Sequence, residues 1–109
     1  MAKIDTSSVP QCHAQHKQPL MQETVVVGED GGLANVVVYI KKEEGLNLPG
    51  DDAPSQIPAV LDQQGCQYFP HVVAIQVGQP IIVKNNDPFL HNVHSLPERN
   101  DPMNKAQPN

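Results

Sequence analysis

The apolar residues of this chain are gathered into short, β-branched runs, each closed by glycine, proline or a polar turn: "ETVVVG", "LANVVVYIK", "HVVAIQV" and "IIVKN". Runs of that length and branching suit strands, because a residue branched at Cβ is stiff at χ1 and packs well on a pleated surface. Eleven prolines and seven glycines, most of them between the runs, favour an all-β or loop-rich chain over a helical one. The pattern predicts strands over 23–28, 33–41, 59–62, 71–77 and 81–85, with a further strand near His91. No helix is expected.

Within this outline the runs differ. Residues 33–41 are apolar at nearly every central position, which suggests burial on both faces or a central place in a sheet. Residues 71–77 alternate, with Val73, Ile75 and Val77 on one face and Val72, Ala74 and Gln76 on the other. "EDGG", "QQGC" and "GQP" read as turns. Residues 43–58 carry three prolines and no periodicity, so they read as a long surface loop in which Glu43, Glu44, Asp51 and Asp52 are solvated charges. The chain divides into an irregular N-terminal arm (1–22), a β-sandwich (23–96) and a proline-rich tail (97–109) with almost nothing to bury. Short strands separated by turns point to an antiparallel β-sandwich. About seven strands close such a sandwich, and the count here falls short as if the last hairpin were missing.

Bulk properties exclude several functions. With 109 residues the chain makes one domain with a thin core. A net charge of −5, with no basic cluster larger than Lys41-Lys42, argues against nucleic-acid binding. No apolar run approaches ~18 residues, so no membrane span is expected. There is no glycine-rich phosphate loop, no Ser/His/Asp set in a recognisable context and no paired-cysteine zinc motif, so the chain is not expected to be an enzyme. The opening "MAKIDTSSVPQC" has no apolar signal core, which fits a cytoplasmic protein or one whose Met1 replaces a removed signal.

The chemistry concentrates in five histidines and two cysteines. His91 and His94 lie three apart in "NNDPFLHNVH", and an odd separation in a strand puts side chains on opposite faces. They chelate one ion only if the segment turns. Asn85, Asn86 and Asn92 are placed to hydrogen-bond loop backbone and hold a ligand histidine in orientation. His71, following Pro70 at a strand start, is expected at the surface and is a further metal candidate. Cys12 and Cys66 have two competing readings. As a disulfide they would staple the arm to the "QQGC" turn. Alternatively Cys12 is a thiolate beside His16 and Met21, with His13 as an extra ligand; a disulfide excludes that use of Cys12.

"YFPHVVAIQVGQPIIVKNNDPFLHNVHSLP", together with "GGLANVVVY" and "LDQQGCQYFPHV", resembles the cupredoxins, the small blue-copper proteins, and in particular exported bacterial cupredoxin-like proteins. The resemblance runs from about Cys12 to Pro108. It implies a Greek-key sandwich, copper as the cofactor, His91 as the first ligand histidine, and a periplasmic or extracellular location. In the family the remaining ligands, a Cys, a second His and usually a Met, lie close together near the domain's end. This chain reaches Asn109 without such a segment. "CHAQHKQPLM" resembles that ligand loop in order and spacing, at the opposite end of the chain.

Three functional expectations follow. The first is an electron-transfer module in which His91 binds copper, the site being completed by a neighbouring copy, a further segment or other residues here, and which docks with a redox partner protein. The second is a structural or assembly β-domain whose open edge accepts a strand, for example in a homo-oligomer. The third is an imidazole-only copper or zinc site drawn from His91, His94, His13 and His16, which needs no thiolate.

Overall fold

The structure, a computed structural model, describes residues 2–41, 44–47, 50 and 53–109. Glu43, Asp51 and Asp52, expected as solvated loop charges, lie outside the described residues, as does Lys42 of the Lys41-Lys42 pair.

The all-β class holds: the described residues form one short helix and five strands in two small sheets. The helix α1 (Pro10–Gln15) stands in the arm, where none was expected. Pro10 opens it, at the position where a missing N–H costs nothing and a fixed φ is already helical. His13 N–H donates to the Val9 carbonyl at 3.0 Å, and the chain leaves the helix at an extended His16.

β1 (Ala59–Gln64) and β2 (Gln67–Phe69) make an antiparallel hairpin with Gln64 opposite Gln67. The two residues between them, Gly65 and Cys66, both have positive φ (60° and 59°). That is the backbone of the tight two-residue turn whose twist matches paired strands. Glycine takes it freely; Cys66 is held there by the bonds described below. "QQGC" is thus the expected turn.

β3 (Ile81–Asn85) lies on the other side of β1, giving the order β2-β1-β3. This pair runs parallel, Ala59 opposite Ile81 through Gln63 opposite Asn85, which corrects the antiparallel expectation. Residues 65–80 are long enough to cross back over before β3 begins, as a parallel pairing requires. β4 (His91–Ser95) and β5 (Met103–Gln107) form a separate antiparallel ribbon, His91 opposite Gln107 and Ser95 opposite Met103. β5 falls in the tail that was expected to have almost nothing to bury; two prolines, Pro97 and Pro102, mark its loop and leave 103–107 free of proline to pair.

Three expected strands do not form ladders. Residues 23–28 and 33–41 meet only through a single bridge, Val27 with Leu33, around a turn closed by Gly28 N–H to the Gly32 carbonyl at 2.8 Å. Residues 71–77 are in no strand. Branched side chains create a preference for the pleated surface, but a strand needs an edge to pair with and a face to pack on. Among the described residues these segments find little of either beyond the Val27–Leu33 bridge: Val38 is 92% exposed and Val77 is 99% exposed.

Among the described residues no apolar side chain is buried; the two buried residues are Gln63 and Asp87, each 3% exposed. The Cα radius of gyration is 17.5 Å, against about 13 Å for a compact domain of this length. The two sheets are joined by amides instead. Gln63 Nε2 donates to the Lys84 carbonyl (3.2 Å) and to Gln107 Oε1 (2.6 Å), and Gln107 Nε2 donates to the Val83 carbonyl (2.8 Å). Asn85 Nδ2 donates to the Gln107 carbonyl at 3.1 Å. This network fixes the end of β5 against β1 and β3, and so places the start of β4.

Candidate metal centre

The segment after β3 turns sharply because Asn85 bonds forward. Its Oδ1 accepts the Asp87 N–H at 3.0 Å, and its Nδ2 donates to the Phe89 carbonyl at 2.9 Å. Such side-chain-to-backbone bonds mimic a turn, and proline at 88 keeps the chain out of a helix. The result drives the Asp87 carboxylate inward, onto the β1–β2 turn. Its Oδ1 accepts the Gly65 N–H (2.7 Å) and its Oδ2 accepts the Cys66 N–H (2.8 Å). Four residues on, His91 opens β4 with its Nε2 2.6 Å from Asp87 Oδ2. The Phe89 ring stands edge-on to the imidazole at 5.0 Å.

Burial alone would push the Asp87 carboxyl up. The Cys66 N–H, His91 and the Gly65 N–H outweigh it and hold the group below its usual value of 3.8. Asp87 therefore stands as a carboxylate that accepts three bonds and orients His91. With Nε2 engaged by Asp87, Nδ1 is the ring nitrogen left for another partner.

Cys66 is bonded to Cys12 in a disulfide that spans 54 residues and ties α1 to the turn. His16 adds a second tie, its Nε2 lying 2.7 Å from the Gly65 carbonyl. One ligand atom each of Cys66, Asp87 and His91 lies within 4.8 Å of the other two. An open cleft of about 280 Å³ beside them is lined by Cys12, Cys66, Tyr68, His91 and Asn92.

The expected ligands are dispersed. His91 is in the cluster. His94 is exposed on β4 opposite Asn104, on the other face from His91, as strand parity predicts. His13 Nδ1 meets Thr6 Oγ1 at 3.0 Å, and His16 is spent on Gly65. His71 pairs with Glu23 at 3.0 Å and, with Met21, lines a different cavity, of about 480 Å³. The set Cys12, His16 and Met21 is not assembled, because Cys12 is in the disulfide and Met21 bridges to Lys3. A blue-copper trigonal set needs a thiolate, and with both cysteines oxidised the residues present do not fit it. Among the described residues the group of three or more ligand-type side chains is Cys66, Asp87 and His91; His13 and His16 have hydrogen-bond partners of their own and His94 faces away from His91.

Asp87 was not singled out in the sequence. Its signal was there: Asp-Pro-x-x-His in "NNDPFLHNVH" puts the carboxylate four residues before the imidazole. Of the three asparagines expected to steady His91, only Asn85 does so, through the Asp87 turn. Asn86 bonds the Asp62 carboxylate and Asn92 bonds Asn104.

Comparison with protein-family models, with curated proteins and with solved structures finds no match to this chain.

Proposed function

We propose that this chain is a copper-binding module of cupredoxin type, exported and serving electron transfer, that contributes His91 to a copper site. The observation that supports it is the Asp87–His91 pair. Metal-bound histidines characteristically donate their second ring N–H to a carboxylate, which fixes the tautomer and makes the ligand nitrogen more basic. Asp87, buried and fixed by two backbone donors, does this for Nε2, and Nδ1 is then the ligand atom. Neighbouring copies or a further segment supply the other ligands; a copy in the disulfide form offers imidazole and no thiolate.

The test is Cu(II) titration of the disulfide form, followed by electron paramagnetic resonance. One bound ion with nitrogen coupling, lost in His91→Gln and kept in His94→Gln, is the expected result. The absorption is pale, because neither cysteine is a thiolate. Binding indifferent to His91→Gln rejects the reading.

A second reading, an assembly domain, is favoured by a separate observation. Val38, Tyr39, Ile40 and Val77 are exposed, and no apolar side chain among the described residues is buried. Single exposed apolar residues are normal, but a run of this kind marks an interface. A second copy that adds a strand along 33–41 would supply the missing edge. Sedimentation across a range of concentrations decides it: a monomer at every concentration removes this reading.

A further inference from the structure

The disulfide lies within reach of the carboxylate–imidazole pair, and that pairing has a chemical consequence. Cys66 Sγ, one Asp87 oxygen and one His91 ring nitrogen lie within 4.8 Å of one another. Cys12 Sγ is bonded directly to Cys66 Sγ at 2.03 Å, so it shares the neighbourhood. The cleft of about 280 Å³ that both cysteines and His91 line is open to solvent. Neither cysteine is buried, so a small thiol reaches the bond.

We propose that the Cys12–Cys66 disulfide is the closed state of a redox-gated metal site, which on reduction binds a zinc-type divalent ion through Cys12, Cys66 and His91. The proposal rests on the reading of His91 as a metal ligand and adds to it the conditions under which this chain completes a site by itself. A dithiol reductant carries out the opening by thiol–disulfide exchange. The Cys12–Cys66 S–S bond breaks, each sulfur gains a proton, and the dithiol is oxidised to its own disulfide; two electrons and two protons pass to the protein. An incoming divalent ion then displaces both thiol protons, so that two thiolates balance its charge. Two sulfurs and one imidazole form the soft, tetrahedral donor set that zinc takes, with water at the fourth position. Asp87 stays with the backbone of Gly65 and Cys66 and orients His91 as the carboxylate of a metal–histidine–carboxylate series.

The Gly65-Cys66 turn makes the exchange local. Asp87 grips its two N–H groups and His16 grips the Gly65 carbonyl. Breaking the sulfur bond therefore frees Cys66 Sγ without releasing its backbone, and His16 keeps the arm that carries Cys12 close at hand.

The experiment adds Zn²⁺, and Co²⁺ as its coloured stand-in, to the full chain in the disulfide form and after phosphine reduction and desalting. The reduced chain is expected to bind one Co²⁺ with sulfur-to-cobalt charge-transfer absorption that Zn²⁺ bleaches, and the disulfide form to show none. Cys12→Ser frees Cys66 permanently and shows a weaker band without reductant. His91→Gln lowers the affinity of the reduced chain at least tenfold. Absence of the band after reduction, or a band of undiminished affinity in His91→Gln, overturns the proposal. So does a reduced chain whose far-ultraviolet β signal is lost and is not restored by Zn²⁺. The two readings separate cleanly. Copper bound through His91 in the disulfide form with no thiolate band on reduction removes only the redox gate. A His91-dependent band on reduction with no copper bound to the disulfide form removes only the copper module.

Discussion

The Asp87 carboxylate and the His91 imidazole meet at 2.6 Å, four residues apart, with the carboxylate 3% exposed and anchored to the β1–β2 turn. Most buried charges in proteins are tolerated only when fully paired. This one has two backbone donors and one ring nitrogen, and it joins β1–β2 to β4 through a single side chain.

Asp87→Asn should therefore destabilise the chain by about 2 kcal/mol, the scale of a lost charged hydrogen bond with a donor left facing donors. The amide can accept at one atom only, so one of the Gly65 and Cys66 N–H groups loses its partner. Urea unfolding of the two proteins measures it; a difference within about 0.5 kcal/mol, typical of a surface change, contradicts the role assigned here.

The same carboxyl sets an acid limit. Its folded pKa lies below the usual 3.8, so the unfolded chain takes up this proton first. The contribution is complete well above about pH 4 and is lost as pH falls through the lowered folded value. Stability followed by urea midpoint from pH 6 downward should drop below pH 4 in the parent chain and drop less steeply in Asp87→Asn. Parallel profiles would show that the proton goes elsewhere.

Removing the disulfide by Cys12→Ser with Cys66→Ser should cost about 4 kcal/mol, the loop-closure value for a span of 54 residues. Among the described residues no apolar side chain is buried, so the arm is held besides by polar contacts such as His16 on the Gly65 carbonyl. Thermal unfolding by circular dichroism tests this. An unchanged midpoint would mean that His16 on Gly65 suffices to dock residues 2–22.

Gln63→Leu should lose about 1–3 kcal/mol although it replaces a buried polar side chain with an apolar one. It strands the Lys84 carbonyl and Gln107 Oε1 and cuts the link between β1 and β5. Hydrogen exchange is the discriminating measurement: amides of Met103–Gln107 should lose protection before those of Ala59–Gln64. Equal loss in both strands would show that the sheets do not depend on this amide.

Some segments reached the local form their residues favour. "QQGC" makes its turn because glycine and a short hairpin leave few alternatives, and "IIVKN" forms β3 over the residues its branching marks. His91 and His94 separate because strand parity allows nothing else. Residues 33–41 were the most strand-like stretch of the chain and form no ladder, since branching cannot create the neighbouring edge a strand needs. β5 was missed for the opposite reason. "MNKAQ" carries no strand signature, and it pairs because Gln107 is bonded from both Gln63 and Asn85.

By itself the sequence determined an all-β chain of short segments, the turn at Gly65-Cys66 and the opposite facing of His91 and His94, because these follow from residue type, spacing and parity. The tertiary structure alone decided that β1 and β3 run parallel, that Cys12 is spent on Cys66, and that Asp87 takes hold of His91. Each of those joins groups distant in the chain or turned inward by a loop. Their energy comes from hydrogen bonds and a covalent link that exist only once the segments have met.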